Sequence, residues 1–179
     1  MQPILRPVLA ALLFTSLPGV GAPAPVHDGA HDFDFDIGVW KTHITRRVHP
    51  LSNSDETVEL EGTVTVRPVW AGRAQLEEIE ADGPNGHWEG MTVFLYDPKG
   101  AQWSMNFASS AIGRFSAPMI GSFANGRGEL IAQDVVDNRS ILVRAVWSDI
   151  RAASHTYEES YSDDGGRTWK VAFTARKTR

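Results

Sequence analysis

Apolar and polar residues alternate along most of the chain, and this period of two constrains the fold more than any other feature. Over residues 57–67, threonine, glutamate and arginine occupy one face, and the other carries Val58, Leu60, Gly62, Val64 and Val66. Successive side chains of a β-strand point to opposite faces, so the pattern predicts a half-buried antiparallel strand. No helical period of useful length is present, and the sequence therefore predicts an all-β fold.

Short turn sequences separate the alternating stretches and predict hairpins. They are Asp-Pro-Lys-Gly at residues 97–100, Asn-Gly at 125–126 and Asp-Asn at 137–138. Connections this short require antiparallel neighbours, and closing the sheet removes its exposed edges. We therefore predict a single antiparallel β-barrel of about 8–10 strands, with a β-sandwich or jelly roll as the alternative.

The first residues form a candidate export signal. An apolar run over residues 8–17 follows Arg6, and it is too short to span a membrane. We predict a signal peptide at residues 1–22, a leader at 23–32 and a barrel domain at 33–179. This organisation predicts a periplasmic or secreted protein without a membrane-spanning segment after cleavage; a plain N-terminal helix is the alternative.

Composition excludes several functional classes. The chain has no cysteine, which excludes disulfide scaffolds, thiolate metal sites and cysteine nucleophiles. A formal net charge of −5 argues against nucleic acid as a partner. We predict no cofactor and no metal: the acidic cluster at residues 27–36 is interpreted as a solvated leader whose Phe33 and Phe35 plug one barrel end. A metal site at His27 and His31 is the alternative.

Gly38 and Trp40 open the first predicted strand in a Gly-x-Trp pattern that resembles the lipocalin-like, or calycin, signature. In that group the tryptophan lies across the closed end of the barrel and a late arginine or lysine packs on its face. The resemblance assigns this role to Arg176, with Arg179 as the alternative. Further motifs at residues 72–74, 96–98, 147–150 and 162–169 are similar to a bacterial family of exported lipocalin-like proteins of unknown function. This resemblance implies the fold and supplies no catalytic motif.

Residues 162–169 match the Asp-box pattern, known best from sialidase propellers, through Ser162, Asp164, Gly166 and Trp169. We interpret the pattern as a rigid hairpin turn, in which the carboxylate holds backbone amides and the tryptophan anchors the turn. A glycosidase is the alternative, although propellers carry several such boxes and this chain carries one.

Strand parity predicts a mostly apolar barrel interior. The predicted ligand-binding residues are Trp88, Phe94, Tyr96, Trp103, Met105, Phe107 and Tyr157. Further inward candidates are Thr42, Ile44 and Arg46 on the first strand and Trp169, Val171 and Phe173 on the last. The leading hypothesis is therefore a barrel that binds a small, largely hydrophobic molecule.

The strand over residues 155–161 carries unusual polar residues on one face and supports a rival hypothesis. His155, Tyr157 and Glu159 could perform acid–base chemistry in the cavity, with Arg144 neutralising a carboxylate. The protein would then be an isomerase, cyclase or hydrolase. The alternative places His155 and Glu159 at the barrel mouth or on its outer wall.

Two more interpretations remain open at this stage. A histidine could ligate haem, or the barrel could be an interaction module with a filled core. Glu77, Glu78 and Glu80 are interpreted as one solvated acidic patch. The sequence does not indicate an oligomeric state.

Overall fold

The structure, a computed structural model, describes residues 28–179, so the predicted signal peptide and His27 lie outside the described residues. A short 3₁₀ helix, Asp34–Asp36, precedes ten strands. They are β1 (Gly38–Arg47), β2 (Thr57–Val69), β3 (Ala74–Gly83), β4 (Gly86–Asp97), β5 (Gln102–Ser109), β6 (Met119–Ala124), β7 (Arg127–Val136), β8 (Arg139–Arg151), β9 (Ser154–Ser162) and β10 (Lys170–Thr178).

All ten strands form one antiparallel sheet that closes into a barrel where β1 pairs with β10. The predicted all-β barrel is confirmed, and the sandwich and jelly roll are excluded. The Asn125–Gly126 and Asp137–Asn138 turns have positive φ angles at both central residues, as tight hairpin turns require. Within residues 28–179, no helix has the length and apolar character needed to cross a membrane.

Antiparallel order places the connections alternately at two ends of the barrel. The leader, the chain end after β10 and the β2–β3, β4–β5, β6–β7 and β8–β9 turns lie at one end, here called the closed end. The loops at residues 48–56, 110–118 and 163–169 lie at the other, the open end.

Phe33 plugs the closed end, as predicted. Its side chain is fully buried, and its ring centroid lies 4.7 to 5.1 Å from those of Phe94, Trp103, Phe123 and Trp147. Each contact has a tilted or edge geometry that aromatic rings favour. The indole of Trp103 also donates a hydrogen bond to the backbone oxygen of a leader residue at 2.9 Å. Gly29 and Phe33 are therefore buried in the core, whereas Asp28 and His31 are exposed, as a solvated leader predicts.

Trp40 lies across the closed end, where its indole donates to the backbone oxygen of Asp36 at 2.7 Å. The guanidinium on its face belongs to Arg179, with Cζ 3.9 Å from the ring centroid. The assignment of this role to Arg176 is wrong, because that residue occupies an outward position on β10 and is exposed. Gly38 has a φ of 126°, and a Cβ there would meet Nη2 of Arg179 at 3.1 Å. Both facts favour glycine at this position.

Ser162 and Asp164 organise the turn between β9 and β10. Asp164 accepts hydrogen bonds from the amides of Arg167 and Thr168 at 3.0 and 2.9 Å, and Ser162 donates to it at 2.8 Å. The amide and hydroxyl of Thr168 hold the pKa of Asp164 well below its usual value. The Ser162 hydroxyl accepts from the amide of Gly166 at 2.8 Å. These contacts are those of a rigid turn.

A bulge between Val171 and Phe173 changes the predicted parity of the last strand. Phe173 faces inward as predicted, but Val171 is 40% exposed. Trp169 does not face inward either: it packs outside the barrel under Arg144, whose Cζ lies 4.3 Å from its ring centroid. A bulge shifts every following side chain to the other face, which alternation alone does not reveal.

Candidate ligand-binding site

The barrel encloses a cavity of about 630 Å³ above the closed-end plug. Its rim includes Pro50 and Ile112 from two open-end loops, and its walls are formed by inward side chains of the strands. Thr42, Ile44 and Arg46 of β1 are among them, as strand parity predicted. The volume lies within the range of about 300–1,000 Å³ that small-molecule sites occupy.

Most of the predicted ligand-binding residues line this cavity. They are Trp88, Phe94, Met105, Phe107 and Tyr157. Trp88 and Phe107 stack with ring centroids 6.0 Å apart and form a flat aromatic wall. Tyr96 and Trp103 do not line the cavity; they pack together at 5.3 Å, beside the plug. Their predicted face is right, but the leader fills the barrel at their level.

Tyr157, Glu159 and Tyr161 of β9 project into the cavity together. The Tyr157 hydroxyl donates to Oε2 of Glu159 at 3.2 Å, and the Tyr161 hydroxyl also binds this carboxylate. Burial raises the pKa of Glu159 and outweighs the opposite effect of the two tyrosine hydrogen bonds. Burial and the neighbouring carboxylate also raise the pKa of both tyrosines, which remain neutral donors. The cavity wall therefore carries one acid that can accept or release a proton.

The other members of the predicted acid–base set lie elsewhere. His155 does not line the cavity; it is buried between Trp40 and Phe35, at centroid distances of 4.6 and 5.0 Å. Arg144 faces the outside, because Val143, Ala145 and Trp147 occupy the inward positions of β8. The hypothesis that Arg144 neutralises a cavity carboxylate is therefore wrong. His31 of the alternative metal pair is exposed and lies 2.9 Å from Asp34.

The cavity floor consists of a buried ion cluster that the sequence analysis missed. Nζ of Lys177 lies 3.1 and 3.2 Å from the two carboxylate oxygens of Asp36, and 2.5 Å from Oε2 of Glu77. Thr92 donates to the other Glu77 oxygen at 2.9 Å. The exposed fractions of Asp36, Glu77 and Lys177 are 0%, 5% and 3%. Glu77 is therefore not part of the predicted solvated patch, whereas Glu78 and Glu80 are exposed.

The cluster favours the charged forms of Lys177 and Asp36. Burial lowers the pKa of Lys177, but the charges of Asp36 and Glu77 more than offset this and raise it overall. For Asp36 the directions are reversed: burial raises its pKa, and the neighbouring Lys177 and His155 lower it overall. Nε2 of His155 lies 3.1 Å from Oδ1 of Asp36, at an angle outside hydrogen-bonding geometry.

Strand parity contained a signal for this cluster. Glu77 shares its face of β3 with Ile79 and Ala81, and Lys177 shares its face of β10 with Phe173 and Ala175. An acid and a base at inward positions of a barrel require partners, because an unpaired buried charge is strongly unfavourable.

Comparison with known proteins supports the architecture. No protein-family model and no curated protein matches the chain. The structure is similar to the S-type phycobiliprotein lyase CPES from Guillardia theta, with 13% identity, a TM-score of 0.53, and coverage of 82% of this chain and 89% of that chain. It is also similar to a redesigned β-barrel, mFAP0, bound to DFHBI, with 12% identity, a TM-score of 0.46, and coverage of 81% and 99%. The likeness to the lyase is one of fold and agrees with a lipocalin- or calycin-like barrel.

Proposed function

We propose that this barrel binds a small, largely hydrophobic molecule in its cavity. The observation that carries the proposal is the volume of about 630 Å³ with aromatic and aliphatic walls. Burial of a ligand's apolar surface there would contribute about 25 cal/mol per Å² before the entropic cost of association is subtracted. Glu159 and its tyrosines provide the few polar contacts that fix a ligand's orientation.

Tryptophan fluorescence tests the proposal, because Trp88 and Trp147 line the cavity. Titration with anilinonaphthalene sulfonate and a panel of apolar molecules should change the emission in a saturable manner. The Ala132→Phe variant, which fills part of the cavity, should weaken binding. The matched Ile131→Phe change on the outer face of β7 should leave it unchanged. Constant emission across the panel, with no ligand found by mass spectrometry in the purified protein, would refute the proposal.

Acid–base catalysis in the same cavity is the second candidate function. It is supported by the position of Glu159 in the cavity wall beside two tyrosine hydroxyls and by its raised pKa, since a carboxyl group within reach of a ligand can transfer a proton. Tyr157 would then orient the carboxylate. If the protein converts a bound molecule, the Glu159→Gln variant should lose turnover and should still bind neutral ligands. An active Glu159→Gln variant would exclude this role.

We also propose that residues 1–22 direct export, as in the exported lipocalin-like family that the motifs resemble. The support is the apolar run after Arg6 and the small residues that follow it. Intact mass measured on protein from a periplasmic fraction should show loss of about 22 N-terminal residues. Retention of the full N-terminus in that fraction would contradict cleavage.

A further inference from the structure

We propose that the ligand of this cavity is an amphiphilic amine, whose ammonium group binds Glu159 and whose hydrophobic body fills the space in front of the aromatic wall. This inference rests on the proposed ligand-binding function and names the chemical class of the ligand. It follows from the placement of Glu159, from the pairing of the other charges, and from the wall that faces this carboxylate.

Glu159 is an acid in the cavity wall whose hydrogen bonds come from neutral groups. Within residues 28–179 it forms no salt bridge, and its side-chain partners are the hydroxyls of Tyr157 and Tyr161. A carboxylate offers about four acceptor positions, and each tyrosine donates a single proton. Acceptor positions therefore remain for a donor that enters from the cavity.

The cations near the cavity do not satisfy Glu159. Lys177 is held by Asp36 and Glu77 at the floor. Arg47 donates to Asp55 at 2.9 Å and to a backbone oxygen of the rim loop. Among the described residues, two of the three cations that line the cavity, Lys177 and Arg47, therefore already have acidic partners.

The remaining charges around Glu159 lie at the rim. Arg46 lies two strands from Glu159 in the cross-strand row Arg46–Phe173–Glu159, and Phe173 occupies the position between them. Asp134 on β7 is exposed and raises the pKa of Glu159. The neighbouring strands β8 and β10 place the uncharged Ala145 and Phe173 beside the carboxylate. Water screens the charges of Arg46 and Asp134, which are exposed at the rim, more than it screens the half-buried carboxylate of Glu159.

The wall that faces Glu159 suits an organic cation. In the ring of ten strands, β9 and β4 are five positions apart in either direction, so they lie opposite each other. Trp88 of β4 and its stacking partner Phe107 therefore face β9 across the cavity. Tyr157 and Phe173 add two rings on the side of the acid, with centroids 6.0 Å apart. Aromatic faces attract cations and also bury hydrocarbon.

The affinity for an amine should depend on pH, because Glu159 can take up a proton. A buried carboxylate without a counterion is unfavourable, and an ammonium group relieves this penalty. The ammonium requires the ionised carboxylate, so amine affinity should fall as pH falls through the raised pKa of Glu159. Tyr157 and Tyr161 remain neutral over this range, because their pKa values are raised.

Three probes with one phenylbutyl body test the inference: 4-phenylbutylamine, 4-phenylbutanol and 4-phenylbutyrate. We expect the full chain to bind the amine about tenfold or more tightly than the alcohol at about pH 8, and the acid most weakly. Glu159→Gln should remove the advantage of the amine and leave alcohol binding within about twofold. Glu158→Gln, on the outer face of the same strand, is the matched control and should bind all three probes like the wild type.

The outcomes separate this inference from the proposed function. Failure of all three probes and of the wider apolar panel contradicts the binding function itself. Binding in which the alcohol or the acid equals or exceeds the amine leaves that function standing and overturns the assignment of an amine. If the Glu159→Gln variant does not fold, the ratio of amine to alcohol affinity is measured for the wild type at about pH 8 and at about pH 4, and the inference predicts a smaller ratio at the lower pH. A ratio independent of pH overturns the inference.

Discussion

Replacing Lys177 by methionine should destabilise the barrel more than any surface change, because it removes the cation between two buried carboxylates. Methionine retains the length and most of the volume of the side chain. Nζ contacts Asp36 at 3.1 Å and Glu77 at 2.5 Å, and both contacts disappear. Among the described side chains, Asp36 would then keep only its contact with His155, and Glu77 would keep only the Thr92 hydroxyl as a donor.

The expected loss is about 3 kcal/mol of unfolding free energy at pH 7, the lower end of the range of about 3–5 kcal/mol for breaking a buried ion pair. The lower end is appropriate because the Thr92 hydroxyl still donates a hydrogen bond to Glu77. Glu77→Gln in addition to Lys177→Met removes one orphaned charge and should recover at least about 1 kcal/mol. The two substitutions are in contact, so their effects should not be additive.

The loss should depend on pH with a definite sign. The lowered pKa of Asp36 stabilises the wild type above the ordinary carboxyl pKa, and this contribution disappears as pH falls through the lowered value. The raised pKa of Lys177 stabilises the wild type below the lysine's ordinary pKa, and that contribution disappears as pH rises through the raised value. In the variant the unpaired carboxylates favour protonation. The difference between the two proteins should therefore shrink from pH 7 towards about pH 4.

Urea unfolding followed by tryptophan fluorescence measures these quantities. Lys41→Met makes the same substitution at an exposed position on the neighbouring strand β1 and should change stability by less than about 0.5 kcal/mol. A loss below about 1 kcal/mol for Lys177→Met, or a loss that does not change with pH, would refute the view that the floor is an ion cluster whose charges depend on one another.

Three further predictions concern the closed end and the turn after β9. Arg179→Ala should cost about 1 kcal/mol and change the indole emission of the first strand, while Arg176→Ala should do neither, as urea unfolding and fluorescence will show. Phe33→Ala removes the centre of the aromatic plug and should cost about 3–5 kcal/mol in urea; a loss under about 1 kcal/mol would contradict its role. Asp164→Ala should lower the melting temperature more than Asp163→Ala. That difference should fade as pH drops below the ordinary carboxyl pKa towards the lowered value of Asp164, and calorimetry at two pH values measures it.

The barrel itself was predictable because alternation and turn chemistry are local properties. Two-residue turns such as Asn125–Gly126 fix a hairpin without reference to the rest of the chain. The same parity placed Trp88, Phe107 and Tyr157 inside, as the structure confirms, but left Glu159 open between the cavity and the mouth or outer wall. The prediction was wrong where one irregular residue changes parity, as at the bulge before Phe173.

Contacts between distant parts of the chain were the other limit of the sequence analysis. Asp36 and Lys177 meet although 141 positions separate them, and Glu77 joins them from a third element. Arg144 has apolar neighbours on its face, yet that face is the outer one, where Trp169 packs against it. Arg179 lies beyond the last strand, so the strand pattern does not place it over Trp40. The contacts of Lys177 with Asp36 and Glu77, and of Arg179 with Trp40, require the pairing of β1 with β10 that closes the barrel.

The ion cluster at the floor also explains why a ligand's ammonium group should stop at Glu159. An ammonium that reached the floor would have to compete with Lys177 for Asp36 and Glu77, and separating that pair is unfavourable by about 3 kcal/mol. At Glu159 the same ammonium meets a carboxylate bound only by neutral hydroxyls and displaces no cation. Below the floor, Phe33 and its aromatic partners leave no room for an apolar body. The floor therefore sets the depth of the cavity, and the acid in its wall would orient the proposed amine.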